Sequence, residues 1–596
     1  MSENILVAIA WPYANAEIHV GNITGSHLPG DIFARYHRLK GNRVLMVSGT
    51  DSHGTPVTLR ADALGRSVEE VYQAYHRGFL ELFQKLGIHY DLFTSTHTEN
   101  HFKVAQCIFL ALQKNGYLYT ETRPQWYSPQ AKRFLPDRYV EGTCYLCGYE
   151  GARSDQCDQC GNVLEPEKLL NPRSKVDGST PELRETEHFY LDLSKLEPDV
   201  AAFLRARQHY WRETVVGQSL GQIESEGLKP RPITRDLDWG IPVPVEGWEG
   251  KCIYVWFEAV IGYLSAAIEA AKISSHPDAW KDWWTNPEAK TYYFIGKDNI
   301  FFHAAMWPAQ LMGTGEQFLE IYAGEKGQRL NVPYDVPANQ FMNLEGQKIS
   351  GSRNWAVWGL DFLSRYDPDT LRFYLTFNMP ENKDSDWDWL EFCTRNNNDL
   401  VATWGNLANR MLSFAFKHWE GRVPQPGELS PADQEILATV EQGFQTVGSF
   451  IEKVQLRAGL FEALRLASEV NKYLDVVAPW FAIKSDKAAA ATSVYTALRA
   501  IDSLKILFAP FLPFSSERLH TYLGYTKPLF GSQKVETICD ALGEHLVLRY
   551  LPDHASGKWE PSRLEPGQKL VQPAPLYRKL DESLVAEERS RLGKPK

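Results

Sequence analysis

Two short, continuous apolar runs near the start of the chain constrain its fold more than any other feature. The first covers Ile5 to Ala10 and the second covers Val44 to Val47. Continuous runs of this length are typical of strands buried on both faces of a parallel sheet. A helical pattern from about Gly25 to Leu39 lies between them, and this strand–helix–strand order predicts an α/β unit. Ligands of such a sheet bind at the carboxyl ends of its strands.

The chain has 596 residues, which are too many for one hydrophobic core. Its composition and its hydrophobic periodicity change several times along the sequence. Helical patterns continue to about Tyr117, and cysteine, proline and glycine are dense from there to Gly250. A loop-rich section ends near Asp388, and helical spacing then continues to Leu523 as in a bundle. We predict a parallel-sheet domain made of 1–117 and 251–330, an inserted domain at 118–250, a connecting region at 331–394, a helical bundle at 395–540 and a tail at 541–596 that packs back on the body.

Composition and charge argue against two classes of protein. No apolar stretch is long enough to span a membrane, and no basic segment precedes the first apolar run as it would in a signal peptide. We therefore expect a cytoplasmic protein without a membrane partner. The formal net charge of -11 argues against non-specific nucleic-acid binding over a broad basic surface. It is compatible with an RNA held by a local patch and by base stacking.

Four of the eight cysteines form two CxxC knuckles inside the predicted insertion: Cys144 with Cys147, and Cys157 with Cys160. This spacing is typical of a zinc ribbon. Gly148 and Gly161 each follow a knuckle and can supply its tight turn. Because four thiolates leave no open coordination position, we predict one structural zinc ion per chain. The alternatives are four free thiols or a redox pair in a reducing compartment.

Two short motifs carry groups that suit a nucleotide. His19-Val20-Gly21-Asn22 follows the first strand and opens the first helix, where the helix N-terminus favours phosphate. The imidazole can donate a hydrogen bond as charge develops on a phosphate oxygen. Lys348-Ile349-Ser350-Gly351-Ser352-Arg353 lies in the loop-rich section and can close over a triphosphate. Taken singly, each has an ordinary alternative: a chance tetrapeptide and a solvated surface loop.

Together, and in this order, the two motifs resemble the signatures of class I aminoacyl-tRNA synthetases. Further blocks narrow the resemblance to the methionyl-tRNA synthetase family, and it runs in order from residue 5 to about residue 580. The blocks are Ala10 to Asn15, Gly49 to Pro56, Tyr254 to Tyr263, Phe294 to Asp298, His303, and Ala478-Pro479-Trp480.

The resemblance implies a fold, a reaction and a set of partners. It implies a Rossmann-type catalytic domain with an inserted zinc-binding domain, followed by an α-helical anticodon-binding bundle. The region 331–394 would contact the tRNA stem and carry the loop that closes over ATP. The reaction would be that of a methionine–tRNA ligase, which activates methionine with ATP and Mg²⁺ and transfers it to the 3′ end of tRNA(Met). We expect a monomer.

The resemblance also implies roles for individual residues. Catalysis would depend on His19, Asn22, Lys348, Ser350 and Ser352. ATP would contact His19, Gly21, Asn22, Gly296, Lys297, Asp298 and Lys348. Methionine would lie among Trp11, Tyr13, Asp51, Trp256, Ala259, Val260, Tyr263, Asn299 and His303. The anticodon would be read by Asn406, Arg410 and Trp480, with the tryptophan stacked on a base. For Trp256, Tyr263 and Trp480 the alternative is a place in the core.

Four positions depart from the family pattern. Trp11, Val260 and Asn299 stand where leucine, proline and isoleucine are common, and Gly351 stands where lysine is usual.

There are two alternatives to the main interpretation. A synthetase for another apolar amino acid would usually carry a larger editing insertion. A catalytically weak or silent paralogue, acting as a zinc-containing RNA-binding protein, is favoured by Gly351 and opposed by intact Asp51, Lys297, Asp298 and His303.

Overall fold

A seven-stranded sheet is the centre of the computed structural model, which describes residues 2–594 except 136–138, 155–156, 158, 161–163 and 165. In spatial order its strands are Ala338–Asn339, Lys290–Gly296, Asn4–Ile9, Arg43–Thr50, Leu92–Ser95, Gly543–Leu551 and Ser532–Asp540. The first five are parallel to one another. Gly543–Leu551 is antiparallel to its neighbour Leu92–Ser95, and Ser532–Asp540 is antiparallel to Gly543–Leu551. The predicted α/β unit with a parallel sheet is therefore confirmed.

The first strand shows why its sequence is apolar throughout. Ile5, Val7 and Ile9 pack into the core on one face of the sheet. Leu6 and Ala8 pack into the core on the other face. All five side chains are fully buried, because helices cover both faces of the sheet, as they do in parallel sheets generally.

Helices connect and cover these strands. Those of the parallel-sheet domain are Val20–Asn22, Leu28–Leu39, Thr55–Leu64, Val68–Leu86, Glu99–Lys114, Val255–Glu258, Gly262–Ile273, Lys281–Trp284, Trp307–Thr314 and Gln317–Ala323, with π-helical turns at Ile23–His27 and Phe302–Met306. Ser67 begins one of them with a capping box to Glu70, and Gly87 ends it in the left-handed conformation (φ 68°). Among the helices of the described residues, none combines the length and apolar character that a membrane crossing requires.

The prediction that helical patterns continue to about Tyr117 missed one strand. Leu92–Ser95 forms a strand between the helices Val68–Leu86 and Glu99–Lys114. Its four residues are too few to show a period of their own, and they become a strand by pairing with Arg43–Thr50.

The inserted segment forms small antiparallel sheets in place of the parallel one. Four strands lie in the order Arg231–Pro232, Glu182–Leu191, Leu118–Ser128 and Arg133–Phe134. Three more lie in the order Ala152–Arg153, Val140–Thr143 and Leu170–Ser174, and a pair joins Thr234–Arg235 to Cys252–Ile253. Two helices, Leu193–Arg205 and Glu213–Glu226, complete the segment. A separate small core holds the three-stranded sheet and includes Cys144 and Cys157.

The region after the parallel-sheet domain is less loop-rich than predicted. Its small sheet has the order Gln347–Lys348, Met342–Leu344 and Ser385–Trp387, and its helices are Gly359–Leu363, Pro368–Phe377 and Trp389–Arg395. The predicted helical bundle follows as a π-helical stretch Asn396–Gly405 and the helices Asn406–His418, Pro431–Glu452, Leu456–Val477, Pro479–Ala482, Lys487–Phe508 and Pro513–Tyr522.

The predicted boundary at 540/541 falls inside a hairpin and needs correction. Ser532–Asp540 and Gly543–Leu551 pair along their whole length, and the second strand joins the main sheet beside Leu92–Ser95. Ser532–Asp540 is largely exposed and carries charged residues at Lys534, Glu536 and Asp540, so its local strand signal is weak and long-range pairing decides where the hairpin belongs. After the hairpin, the helix Ser583–Arg591 lies against Trp389–Arg395.

Candidate active site

An open cavity of about 520 Å³ lies at the carboxyl ends of the strands Asn4–Ile9 and Lys290–Gly296. The chain after the first strand forms one wall and the chain after the second forms another. Predicted ATP-site residues on the wall are His19, Gly21, Asn22, Gly296, Asp298 and Lys348. Ligand sites of open parallel sheets occur at this edge.

His19 and Asn22 hold each other in place at the start of the first helix. The His19 backbone N–H donates to Asn22 Oδ1 (3.2 Å), and the Asn22 backbone N–H donates to His19 Nδ1 (3.3 Å). Because Nδ1 accepts, the proton of the neutral imidazole is on Nε2. Burial lowers the pKa of His19 to about 4, so the ring is neutral at physiological pH. A neutral donor results, whose free N–H is available to a ligand oxygen.

Two glycines permit close approaches in this cavity. A Cβ on Gly21 would lie 3.0 Å from the His19 ring and 3.2 Å from Ile349 of the loop. A Cβ on Gly296 would lie 2.7 Å from a carboxylate oxygen of Asp298. Side chains at these positions would displace the very groups that face the cavity.

Of the two lysines predicted to contact ATP, only one lies on the wall of this cavity. Lys348 lies on the cavity wall, whereas Lys297 does not and pairs with Asp384 (2.6 Å). Both ammonium groups lie over the ring of Phe341, at 4.3 Å for Lys297 and 5.7 Å for Lys348. The ring thus keeps two positive charges near one side of the cavity.

A second cavity, of about 290 Å³, adjoins the first. All nine residues predicted for methionine line it: Trp11, Tyr13, Asp51, Trp256, Ala259, Val260, Tyr263, Asn299 and His303. Trp11, Tyr13, Asp298 and Asn299 line both cavities. A ligand in the smaller cavity is therefore adjacent to one in the larger.

The inner end of the smaller cavity is uncharged. Tyr263 Oη and His303 Nε2 are 2.7 Å apart, and His303 Nδ1 donates to the Asn299 carbonyl at 3.0 Å. The Nδ1–H bond leaves Nε2 as the acceptor of the Tyr263 hydroxyl proton. Burial lowers the pKa of His303 to about 4, which keeps the ring neutral. Aromatic walls without charge suit a polarizable, uncharged side chain such as a thioether.

Asp51 places one carboxylate in this apolar surrounding. Its backbone pairs with Tyr13, and only 2% of the residue is exposed. Burial raises the pKa of Asp51 well above its ordinary value, the nearby charge of Glu258 raises it further, and the His53 N–H acts in the opposite direction. A ligand ammonium group would favour the ionised form and supply the missing counter-charge.

A polar network behind Asp51 was missed from the sequence. Glu258 is fully buried and accepts from His53 Nδ1 (2.7 Å) and His101 Nε2 (2.6 Å). His53 Nε2 continues the chain to His97 Nδ1 at 3.0 Å. Burial raises the pKa of Glu258, but the two histidines outweigh it and hold the pKa below its ordinary value. The available signal was an acidic residue inside the apolar run Val255–Ile268.

Two tryptophans account for the shape of the smaller cavity. Trp11 occupies space left by two glycines, since a Cβ on Gly49 or Gly262 would lie 2.1 Å or 2.7 Å from the indole. This space allows tryptophan to stand where leucine is common. Trp256 is 40% exposed and donates from Nε1 to Tyr13 Oη (2.8 Å), so it covers the cavity mouth and does not belong to the core.

The loop that begins at Lys348 is closed by two backbone hydrogen bonds between Ser350 and Trp355, each 2.9 Å. Within it, the hydroxyls of Ser350 and Ser352 are 3.3 Å apart, and neither serine is part of the cavity wall. Gly351 is on that wall, and a Cβ there would lie 3.2 Å from the ring of Trp358. Trp358 in turn pairs with the backbone of His19, which links the two motifs.

The four clustered cysteines form a site that can hold a metal ion. Their sulfur atoms all lie within 4.8 Å of one another, with Cys144 and Cys160 4.0 Å apart and Cys147 and Cys157 3.6 Å apart. Four sulfurs around one zinc ion at 2.3 Å would be separated by about 3.8 Å. Gly148 is left-handed (φ 76°) and makes the knuckle turn. Gly161 lies outside the described residues.

Two of the three predicted anticodon residues, Arg410 and Trp480, are in contact on the bundle. Arg410 lies over the ring of Trp480 at 4.7 Å and donates weakly to Asn471 (3.4 Å). Pro479 starts the helix that carries Trp480. Asn406, one helical turn before Arg410, is exposed. A guanidinium plane stacked on an indole beside a free amide suits unstacked RNA bases.

The chain belongs to the class I aminoacyl-tRNA synthetases, since the family described as tRNA synthetases class I (M) matches residues 5–412. The family described as the anticodon binding domain of methionyl tRNA ligase matches residues 423–554. The chain is 54% identical to the methionine–tRNA ligase of Thermomicrobium roseum over 594 residues, which is 99% of either chain. It is 51% identical to the methionine–tRNA ligase of Roseiflexus castenholzii over 602 residues, again 99% of either chain.

A solved structure supports the fold. Mycobacterium tuberculosis methionyl-tRNA synthetase in complex with methionyl-adenylate matches with a TM-score of 0.75 and covers 97% of this chain and 100% of that chain. The two sequences are 24% identical. At this identity the likeness concerns the arrangement of the chain and leaves side-chain roles to be argued from the site.

Proposed function

We propose that this chain is a methionine–tRNA ligase that forms methionyl-adenylate from methionine and ATP and transfers the methionyl group to tRNA(Met). The observation that carries the proposal is the pair of adjoining cavities. The smaller one has an apolar, uncharged inner end and the carboxylate of Asp51, and the larger one has the His19 N–H and Lys348. Asp298 lies on the wall that the two cavities share. An amino acid in the first would present its carboxylate to a nucleotide in the second.

In the first step, a methionine carboxylate oxygen attacks the α-phosphorus of ATP, and the bond to the departing diphosphate breaks. The His19 Nε2–H and the Lys348 ammonium would stabilise negative charge that develops on the phosphates. Asp298 would hold the ribose hydroxyls, and Mg²⁺, when bound with ATP, would neutralise phosphate charge. In the second step, a hydroxyl of the tRNA 3′-terminal ribose attacks the adenylate carbonyl, and AMP leaves. Positioning and electrostatics suffice without a covalent nucleophile.

Amino-acid-dependent exchange of diphosphate into ATP, measured with each of the standard amino acids, tests the proposal. We expect exchange with methionine alone. Exchange with another apolar amino acid would favour a different class I synthetase, and no exchange with any would favour a silent RNA-binding paralogue. The monomeric state and the cytoplasmic location remain predictions.

We further propose that the four-cysteine site holds one structural zinc ion, bound by Cys144, Cys147, Cys157 and Cys160. The matching sulfur separations support it. Replacing Cys157 by serine should release the metal and destabilise the small core around it, because zinc supplies much of the folding free energy of such modules. Metal analysis together with tryptic digestion of the insertion would measure this. Cys252→Ser, at a buried cysteine outside the cluster, is the control, and metal content unchanged by Cys157→Ser would contradict the assignment.

We also propose that Asn406, Arg410 and Trp480 read the anticodon. Trp480→Ala should reduce tRNA charging roughly ten- to hundredfold, because base stacking on an aromatic ring is worth about 1–3 kcal/mol. Diphosphate exchange should hardly change, since none of the three residues lines either cavity. Phe481→Ala, at a neighbouring aromatic residue that is 66% exposed, shows whether the effect is particular to Trp480. Equal losses in exchange and charging for Trp480→Ala would indicate a structural role.

A further inference from the structure

Residues 583–594 contact the turn at the N-terminal end of the loop Lys348–Arg353. Arg589 Nε donates to Glu345 Oε2 (2.9 Å), and its Nη2 donates to Asp388 (3.3 Å). Glu345 forms the left-handed turn (φ 49°) between the strands Met342–Leu344 and Gln347–Lys348, and its other oxygen accepts the Trp389 N–H at 3.0 Å. Arg589 therefore holds the turn from which the loop starts.

The same segment contacts the other end of the loop. Asn354, which is left-handed (φ 49°), donates from Nδ2 to the Lys594 carbonyl (2.6 Å). Its own carbonyl accepts the Gly593 N–H at 3.0 Å. Asn354 Oδ1 also accepts from Trp358 Nε1 (2.7 Å), and the Trp358 backbone pairs with His19. A continuous set of contacts thus runs from residues 593–594 through Asn354 to the His19 motif.

The segment is itself anchored away from the loop. Glu588 is 4% exposed and accepts from Arg365 with both oxygens, at 2.9 Å and 3.0 Å, and from the Tyr366 hydroxyl at 2.9 Å. Leu584 and Val585 are buried in the main core. A bidentate ion pair with a buried carboxylate and two buried apolar side chains thus anchor the helix Ser583–Arg591. By contrast, Lys348, Gly351, Ser352 and Arg353 are exposed.

We propose that residues 583–594 position the Lys348–Arg353 loop for adenylate formation, with Arg589 and Asn354 as positioning residues at its two ends. The inference rests on the proposed function, because it assigns the loop a part in that reaction. Donors to a developing charge act best when they are held in place beforehand. A loop released at either end would spend less time with Lys348 at the cavity wall, and catalysis would fall although methionine binds as before.

Two substitutions test the two ends separately. Arg589→Ala removes the contact to Glu345, and Arg591→Ala, on the same helix with only a 3.9 Å approach to Glu588, is its matched control. Asn354→Gly removes both side-chain contacts while keeping the left-handed backbone accessible. We expect kcat for methionine-dependent exchange to fall roughly two- to fivefold for Arg589→Ala, as for loss of a half-exposed ion pair. For Asn354→Gly we expect a fall of about tenfold.

A second measurement does not depend on activity. Lys348 and Arg353 are tryptic sites inside the loop, and cleavage there under native conditions reports how often the loop opens. Both variants should be cleaved faster than the parent at these sites, whereas Arg591→Ala should not. Methionine affinity should stay at the parental value, and Arg589→Lys should restore part of the loss.

The outcomes are distinguishable. An active parent whose two variants match it in kcat and in loop cleavage overturns the inference alone. Lower thermal stability with unchanged kcat also overturns it, since the segment would then be merely structural. A parent without any exchange overturns the proposed function, and with it the catalytic part assigned to the loop.

Discussion

Lys348→Ala is expected to reduce methionine-dependent diphosphate exchange by about 10²–10³-fold, with little change in methionine affinity. Removing one preorganised donor to a developing negative charge typically has this cost. Two lysines, Lys297 and Lys348, lie over the ring of Phe341, and of these only Lys348 is on the cavity wall. Gly351 stands where the family pattern has a lysine, so the loop has one positive charge fewer. Pre-steady-state adenylate formation would measure the effect. Lys326→Ala, at a lysine with 81% of its side chain exposed, is the control.

Gly351→Lys is the companion experiment. The backbone of Gly351 is not left-handed, so a side chain is tolerated if the Trp358 ring moves slightly. We expect activity equal to or above that of the parent, and Gly351→Ala separates the steric effect from the charge. If Lys348→Ala exchanges as fast as the parent, the loop is not catalytic. If the parent is inactive and Gly351→Lys restores exchange, the silent-paralogue alternative is correct.

Asp51→Asn is expected to raise the KM for methionine by about 10²-fold or more, because truncating one member of a buried charge pair leaves the other charge uncompensated. The change preserves the size of the side chain and its backbone pairing with Tyr13. Asp298→Asn is the matched comparison, since it should raise the KM for ATP and leave that for methionine unchanged. Equal effects of the two substitutions on both KM values would contradict the separate roles.

The raised pKa of Asp51 adds a pH dependence to the same prediction. Without a ligand the carboxyl group holds its proton to a higher pH than usual, and an ammonium ligand requires the ionised form. Methionine binding should therefore release protons, and its Kd should fall as pH rises through the pKa of the free enzyme, then level off. Calorimetry in buffers of different ionisation enthalpy measures the release. Asp51→Asn should abolish it, and binding without proton release in the parent would show that Asp51 is already ionised.

The predicted site residues were brought together to different degrees. All nine methionine residues share one cavity wall, as do six of the seven predicted for ATP. The resemblance to the methionyl-tRNA synthetase family indicated the methionine residues and Asp298, whereas the His19–Asn22 and Lys348–Arg353 motifs also had local patterns that suit a nucleotide. Lys297, Ser350 and Ser352 lie off the wall, since the direction of a side chain in a loop depends on its neighbours in space.

The sequence by itself determined the features that depend on neighbours in the chain. The apolar run Ile5–Ile9 is typical of a buried strand, the cysteine spacing predicts four sulfurs within reach of one ion, and helical spacing predicts the bundle. Each follows from backbone geometry over a few residues.

The tertiary structure alone decided the features that join distant parts of the chain. Glu258 meets His53 and His101 across more than a hundred residues, and the hairpin 532–551 joins a sheet that starts at residue 4. Arg589 likewise donates to Glu345 across 244 residues of the chain. Whether a charged residue is buried, and by what it is compensated, depends on which segments the topology packs together. Local periodicity carries no information about that choice.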